Sequence, residues 1–216
     1  MRIVTAQEMK QIEKNAAQSG LSYYQMMENA GAAAVSFILE NLNNHTEHVL
    51  ILTGKGNKGG DGFVTARLLT QRGYTVEILM VDGIPVTEDA KKNYNLCAEM
   101  NLPIHTFATQ HDESFFRKFT LIIDALYGTG FHGNLHDTAA AAAAAVNAHI
   151  AAVVALDIPS GVNGDTAEAD TNAIRANYTI AFDSLKHAHV AHSAAVYCGE
   201  VICADIGIPE SCHALE

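Results

Sequence analysis

Val49-Leu50-Ile51-Leu52-Thr53 runs without a break into Gly54-Lys55-Gly56-Asn57-Lys58-Gly59-Gly60-Asp61-Gly62, and an apolar pattern of helical type (Phe63, Val64, Ala66, Leu68, Leu69) follows at once. A buried strand that ends in glycines and opens a helix confines the chain to an α/β architecture. Glycines let the backbone approach a ligand closely, and the free N–H groups of a helix start attract negative charge. The stretch therefore reads as a cradle for a phosphate-bearing ligand. Gly54, Gly56 and Gly59 fit the G-x-G-x-x-G dinucleotide pattern. The Walker A pattern fails, because Gly60 stands where its lysine must be. Asp61 fits neither template. A carboxylate there repels phosphate and suits a sugar hydroxyl, a cation or a helix cap.

Helix and strand signals alternate along the whole chain. Thr5-Ala6-Gln7-Glu8 is a capping box opening a helix to about Gln18, and Ser22 to Gln25 is a second box. Strands are expected near 48–53, 75–81, 104–108, 120–125 and 151–156, with helices near 61–72 and 87–100. The alanine-rich piece from Asp137 to His149 reads as a closely packed helix. Two late strands are expected at Tyr178–Phe182 and Ala195–Ala204. Runs such as Leu121-Ile122-Ile123 and Ala152-Val153-Val154-Ala155-Leu156 are apolar throughout, which suggests a sheet buried on both faces. The expected fold is a three-layer α/β/α sandwich, a doubly wound, Rossmann-like, mostly parallel sheet. At 216 residues, with 49% hydrophobic and 17% charged, one globular domain over 1–216 is expected.

A formal charge of −11 argues against nucleic acid and anionic membrane surfaces as partners. No run approaches a membrane span, and no apolar leader is visible at the start. Cys97, Cys198, Cys203 and Cys212 have no C-x-x-C spacing and read as reduced thiols of a cytoplasmic protein.

Chemistry in such folds sits beyond the carboxyl ends of strands. Two further motifs stand there: Asp124-Ala125-Leu126-Tyr127-Gly128-Thr129-Gly130 and Leu156-Asp157-Ile158-Pro159-Ser160-Gly161-Val162-Asn163-Gly164-Asp165. Either Asp alone could be a turn residue. Three strand ends carrying glycines and carboxylates point to one shared ligand site.

In this order the three motifs resemble those of the NAD(P)H-hydrate epimerases, the YjeF N-terminal domain family. Met27-Glu28-Asn29-Ala30-Gly31 and Asp205-Ile206-Gly207-Ile208-Pro209 are similar to further segments of that family. The resemblance implies interconversion of the R and S forms of hydrated NADH and NADPH. It also implies a separate nucleotide-dependent dehydratase that takes only the S form and restores NAD(P)H, and a homodimer. By the same resemblance the dinucleotide is bound by Asn57, Lys58, Gly59, Gly60 and Asp61, by Gly128, Thr129, Gly130, Phe131, His132, Gly133 and Asn134, and by Asp157. A potassium ion is implied at Asp124, Ser160 and a second Asn, but position 58 is Lys. An ammonium has donors and no acceptor, so it cannot ligate a cation. Three readings of Lys58 stay open: it replaces the ion and contacts Asp124, it points outward to the ligand's phosphates while the ion stays at Asp124 and Ser160, or it is a solvated surface lysine.

Inversion at C6 needs departure and return of its oxygen, with a carboxylate to stabilise the cation and move a proton. Asp157 is the first candidate for this catalytic role and Asp124 the second. Being nearly isosteric, Asp157→Asn is expected to keep the fold. Met26, Met27, Phe37 and Ile38 look like more apolar surface than one helix layer needs, in line with a dimer. His187, His189 and His192 could suggest zinc, but H-x-H-x-x-H lacks a clear frame. Ser160 is not in a G-x-S-x-G elbow. Two other readings remain: a small Rossmann dehydrogenase with Asp82 on the ribose, and a non-catalytic relative that binds the hydrate without turning it over.

Overall fold

The computed structural model describes residues 2–42, 48–108 and 113–214. The order of elements is α1 (Ala6–Gln18), α2 (Tyr23–Asn41), β1 (His48–Thr53), α3 (Asn57–Gln71), β2 (Thr75–Met80), α4 (Glu88–Glu99), β3 (Ile104–Thr106) and α5 (Glu113–Phe116). There follow β4 (Leu121–Ala125), α6 (Asp137–Ala148), β5 (Ala152–Leu156), β6 (Tyr178–Phe182), α7 (His187–Val190), α8 (Ala195–Cys198) and β7 (Glu200–Ala204). The seven strands form one sheet in the order β3-β2-β1-β4-β5-β6-β7, and every pairing is parallel. This is the doubly wound order, in which winding reverses between β1 and β4.

Alternate strand residues divide the core into two layers. Val49, Ile51, Ile123, Ala125 and Val154 face α1, α2, α3 and α4 through residues such as Met9, Ile12, Ile38 and Phe63. Leu50, Leu52, Ile122, Val153 and Ala155 face the other way, onto Phe116, Phe119 and α6. Helix α6 buries Ala139, Ala142, Ala143 and Val146, a single helical stripe, so its alanines allow a close approach to the sheet. Both faces of the sheet are thus covered, which is why its strands carry no polar alternation. No helix among the described residues is long and apolar enough to cross a membrane. The four cysteines are free thiols.

Thr5 caps α1 with the full reciprocal box to Glu8, whereas Ser22 caps α2 through Gln25 N–H. Two boundaries differ from expectation. Helix α3 begins at Asn57, not near 61, so Gly59, Gly60 and Gly62 are helical. Their poor propensity is overridden by packing. A Cβ on Gly59 would stand 1.9 Å from the Gly54 carbonyl oxygen, and one on Gly62 would stand 2.6 Å from Ala125 Cβ. The second difference is that Ala195–Cys198 is a turn of helix before β7. Gly199, at φ 59°, stops that helix and packs on the Asn177 carbonyl, where a Cβ would lie 2.2 Å away. Much of the apolar surface of these helices is used inside the chain. Met26, Met27 and Ile38 are buried within the chain, and Phe37 packs at a tilt on Tyr178, ring centroids 5.3 Å apart. The apolar surface taken as a sign of a dimer is therefore largely covered by the chain itself.

Candidate active site

Because winding reverses between β1 and β4, the connections after these strands diverge and leave a crevice at the carboxyl edge of the sheet. The backbone there is tight. Gly54 N–H bonds to the Ala125 carbonyl, and a Cβ on Gly54 would stand 2.1 Å from the Leu126 carbonyl oxygen. An open cavity of about 650 Å³ occupies the crevice. Gly56, Asn57, Lys58 and Asp61 line it from the start of α3, and Gly128, Thr129, Gly130, Phe131 and His132 from the turn after β4. Asp157 lines it from the end of β5. The three strand-end motifs thus meet in one place. Gly56 caps α3 without a side-chain bond, and the first-turn N–H groups have no intrahelical acceptors.

Several expected residues lie elsewhere. Gly59 and Gly60 pack inside the fold, against Gly54 and Met27. Gly133 and Asn134 are outside the cavity lining. Asp124 and Ser160 stand behind its wall, at 0% and 1% exposure. Asp124 accepts bonds from Ser160 Oγ at 2.6 Å, Ser160 N–H at 2.7 Å and Leu126 N–H at 3.2 Å. Ser160 Oγ in turn accepts Tyr127 N–H. Asp124 therefore ties the turn after β5 to the turn after β4. Burial pushes its carboxyl up to about 6, against the bonds from Ser160.

Asp157 is the charge centre of the cavity floor. Its φ of 69° is left-handed, a conformation Asp tolerates better than most residues. Lys186 Nζ donates to its Oδ1 at 2.7 Å, Thr129 N–H to its Oδ2 at 3.3 Å, and Lys58 Nζ is 3.8 Å from Oδ2. Burial opposes the ionised form, but Lys186 and then Lys58 outweigh it and hold the carboxyl far below its usual range. Lys186 is 1% exposed, and its remaining donors go to the Phe182 and Ser184 carbonyls.

Lys58 does not reach Asp124, contrary to the first of its three readings. Its Nζ bonds to Asp61 Oδ2 at 2.7 Å and lies over the Phe182 ring at 4.5 Å. A lysine three residues before Asp61 on the same helix turn meets it directly, and Gly128 leaves room for the lysine stem. Burial opposes the ammonium, yet Asp61 and Asp157 keep its pKa above the ordinary value. The residues do not fit a resident potassium ion. Asp124 and Ser160 bond to each other, and position 58 carries an ammonium, which has no acceptor to offer a cation.

The histidines do not converge either. His187 and His192 are exposed. His189 Nδ1 accepts Lys186 N–H, which leaves Nε2–H to donate to the Asp157 carbonyl at 2.7 Å. Burial keeps His189 neutral, and it braces the backbone of both charged residues. Asp82 lines the cavity and accepts the Tyr127 hydroxyl at 2.6 Å, while Tyr127 stacks on Phe131.

Sequence reasoning missed Glu13. It lines the cavity from α1, whose buried face is Met9, Ile12 and Ala16. An acidic residue four places after Met9, at the edge of an apolar stripe, was the available signal.

Over residues 23–188 the chain matches the family described as YjeF-related protein N-terminus. It is 36% identical to the NAD(P)H-hydrate epimerase of Lentilactobacillus buchneri, over 95% of this chain and 94% of that relative. It is 35% identical to the bifunctional NAD(P)H-hydrate repair enzyme Nnr of Pyrobaculum aerophilum, over 97% of this chain. The chain spans only 42% of the length of that bifunctional relative. The crystal structure of yeast YNL200c shares the fold at a TM-score of 0.76 and 23% identity, over 87% of this chain and 83% of that one.

Proposed function

The chain belongs to the YjeF-related N-terminus family, and from that premise we propose that it is an isomerase that interconverts the R and S forms of hydrated NADH and NADPH. The observation that carries the reading is the meeting of three strand-end loops around Asp157, an ionised carboxylate on the floor of a cavity large enough for part of a dinucleotide. The N–H groups at the start of α3 suit the phosphates. The carbon at C6 bears the added hydroxyl beside the ring nitrogen. When that oxygen leaves, the nitrogen shares the positive charge, and a fixed carboxylate stabilises it without reorganising. We assign that role to Asp157. Asp124 is assigned a positioning role through Ser160. Incubation with the pure R hydrate of NADH should yield the S form at a rate proportional to enzyme. Binding without conversion would identify a non-catalytic relative.

Lys58 extends the proposal to the ion. Its ammonium, already set between Asp61 and Asp157, supplies the positive charge that potassium would otherwise bring. Exchanging potassium for tetramethylammonium at fixed ionic strength should leave activity within about twofold, the scatter expected for a surface salt effect. Lys58→Asn should create a requirement for potassium. A wild-type enzyme that stops without potassium overturns this part.

The biological setting follows from the chemistry. A separate nucleotide-dependent dehydratase acting on the S form is the partner reaction, in the cytoplasm. The family resemblance also supports a homodimer, and a monomeric mass by light scattering at micromolar concentration would refute it.

A further inference from the structure

Departure of the C6 oxygen requires a group that hands it a proton and takes one back. The charged groups around Asp157 divide sharply by whether they are free to do this. Asp157 is fixed as a carboxylate by two ammonium groups. Lys186 has all three donors engaged. Asp61 is bonded to Lys58 at 2.7 Å. The Tyr127 hydroxyl is held by Asp82, and burial with that carboxylate pushes its pKa up. Glu13 lines the same cavity and, among the described residues, has neither a hydrogen bond nor an ion pair.

Resting on the epimerase reading, we propose that Glu13 is the proton-carrying catalytic residue of this site. In the forward step the Glu13 carboxyl proton moves to the C6 hydroxyl oxygen. The C6–O bond breaks, its electron pair leaves with the oxygen as water, and the nitrogen lone pair closes a C6=N bond. Asp157 faces the resulting cation. The flat ring turns its other face, water adds to C6, the electron pair returns to nitrogen, and the water proton goes to Glu13. Proton and electrons balance over the cycle.

The surroundings favour a carboxyl that holds its proton near neutrality. Burial, then the Asp157 charge, raise it, while Lys58 and Lys186 of the facing elements lower it and Asp61 adds to the rise. The balance pushes Glu13 up to about 7. A general acid and base works best with a pKa near the working pH. The sign for stability follows. A carboxyl raised from 4.5 to about 7 on folding stabilises the folded state below 4.5, and that contribution is lost as pH rises through 7.

The test compares wild type, Glu13→Gln and Glu13→Asp with the R hydrate of NADH between pH 5 and 9. Glu13→Gln should convert at least about a hundredfold more slowly, with binding of the hydrate within a few-fold and a flat pH profile. Wild-type turnover should fall above pH about 7, and Glu13→Asp should recover part of it. The wild-type melting temperature should fall relative to that of Glu13→Gln as pH rises from 4.5 to 7. An active wild type with an equally active Glu13→Gln overturns the role of Glu13 alone. Loss of binding in step with turnover also overturns it, because that marks a merely structural residue. An inactive wild type overturns the epimerase reading itself.

Discussion

Asp157→Asn is expected to lower folding stability by about 3–5 kcal/mol, the usual consequence of removing one partner from a buried ion pair. Among the described residues Lys186, itself 1% exposed, pairs with no other carboxylate, and its remaining partners are two carbonyl oxygens. Lys58 loses the second of its two ion-pair partners among the described residues. The amide is nearly isosteric, but shape is not what holds this site, so the substitution is expected to cost stability rather than to spare it. Equilibrium urea unfolding measures the loss, and a midpoint equal to wild type would refute it. The double variant Asp157→Asn/Lys186→Met should recover a large part, since it removes the stranded charge as well. Epimerisation should fall at least about a hundredfold in either case. In acid the sign is opposite to that of Glu13. The Asp157 carboxyl is depressed on folding, so its stabilisation is present above its unfolded value of about 4 and is lost as pH drops below it.

Gly59→Ala should be the second severe change. Its Cβ would stand 1.9 Å from the Gly54 oxygen and 2.9 Å from the Gly54 carbonyl carbon. That neighbour is backbone, tied through Gly54 N–H to Ala125. Nothing can swing aside, so either α3 or the end of β1 must move. A loss of about 3 kcal/mol, at the upper end for overpacking, is expected in thermal or urea unfolding. Gly56→Ala is the control. Nothing lies within 4 Å of its Cβ, and its φ of −92° suits any residue. As the N-cap of α3 it should lose about 1 kcal/mol at most, the cost of Ala at that position. Equal effects at the two positions would contradict the packing described for this turn.

The sheet was legible because short runs rich in β-branched residues, such as Leu121-Ile122-Ile123, are apolar on both faces, as a doubly covered strand must be. The meeting of the loops was legible from where the motifs fall, at strand ends. Three things were not. The glycines of α3 look like a loop, and only the neighbours Gly54, Met27 and Ala125 reveal them as helix packed close to its surroundings. Lys186 and His189 lie beyond the last motif, and their tie to Asp157 is made by the fold, across 29 and 32 positions of chain. Glu13 sits on an ordinary amphipathic helix, where local pattern says only that it borders the core. Local signals disclose elements. Partners across the fold need the topology.

The parallel pairing of β1 with β4 also governs the order in which this protein can assemble. It joins residues as distant as Val49 and Leu121, whereas β1 with β2 and β4 with β5 join nearer neighbours. Closing the longer loop carries the larger entropy cost, so the two halves of the sheet should form before the seam between them. The cavity lies on that seam. In refolding kinetics, recovery of ligand binding should therefore trail the recovery of helical signal. A dinucleotide that binds only the closed seam should slow unfolding and raise the midpoint with its concentration. The same connection that creates the crevice thus makes it form after the two halves of the sheet that flank it.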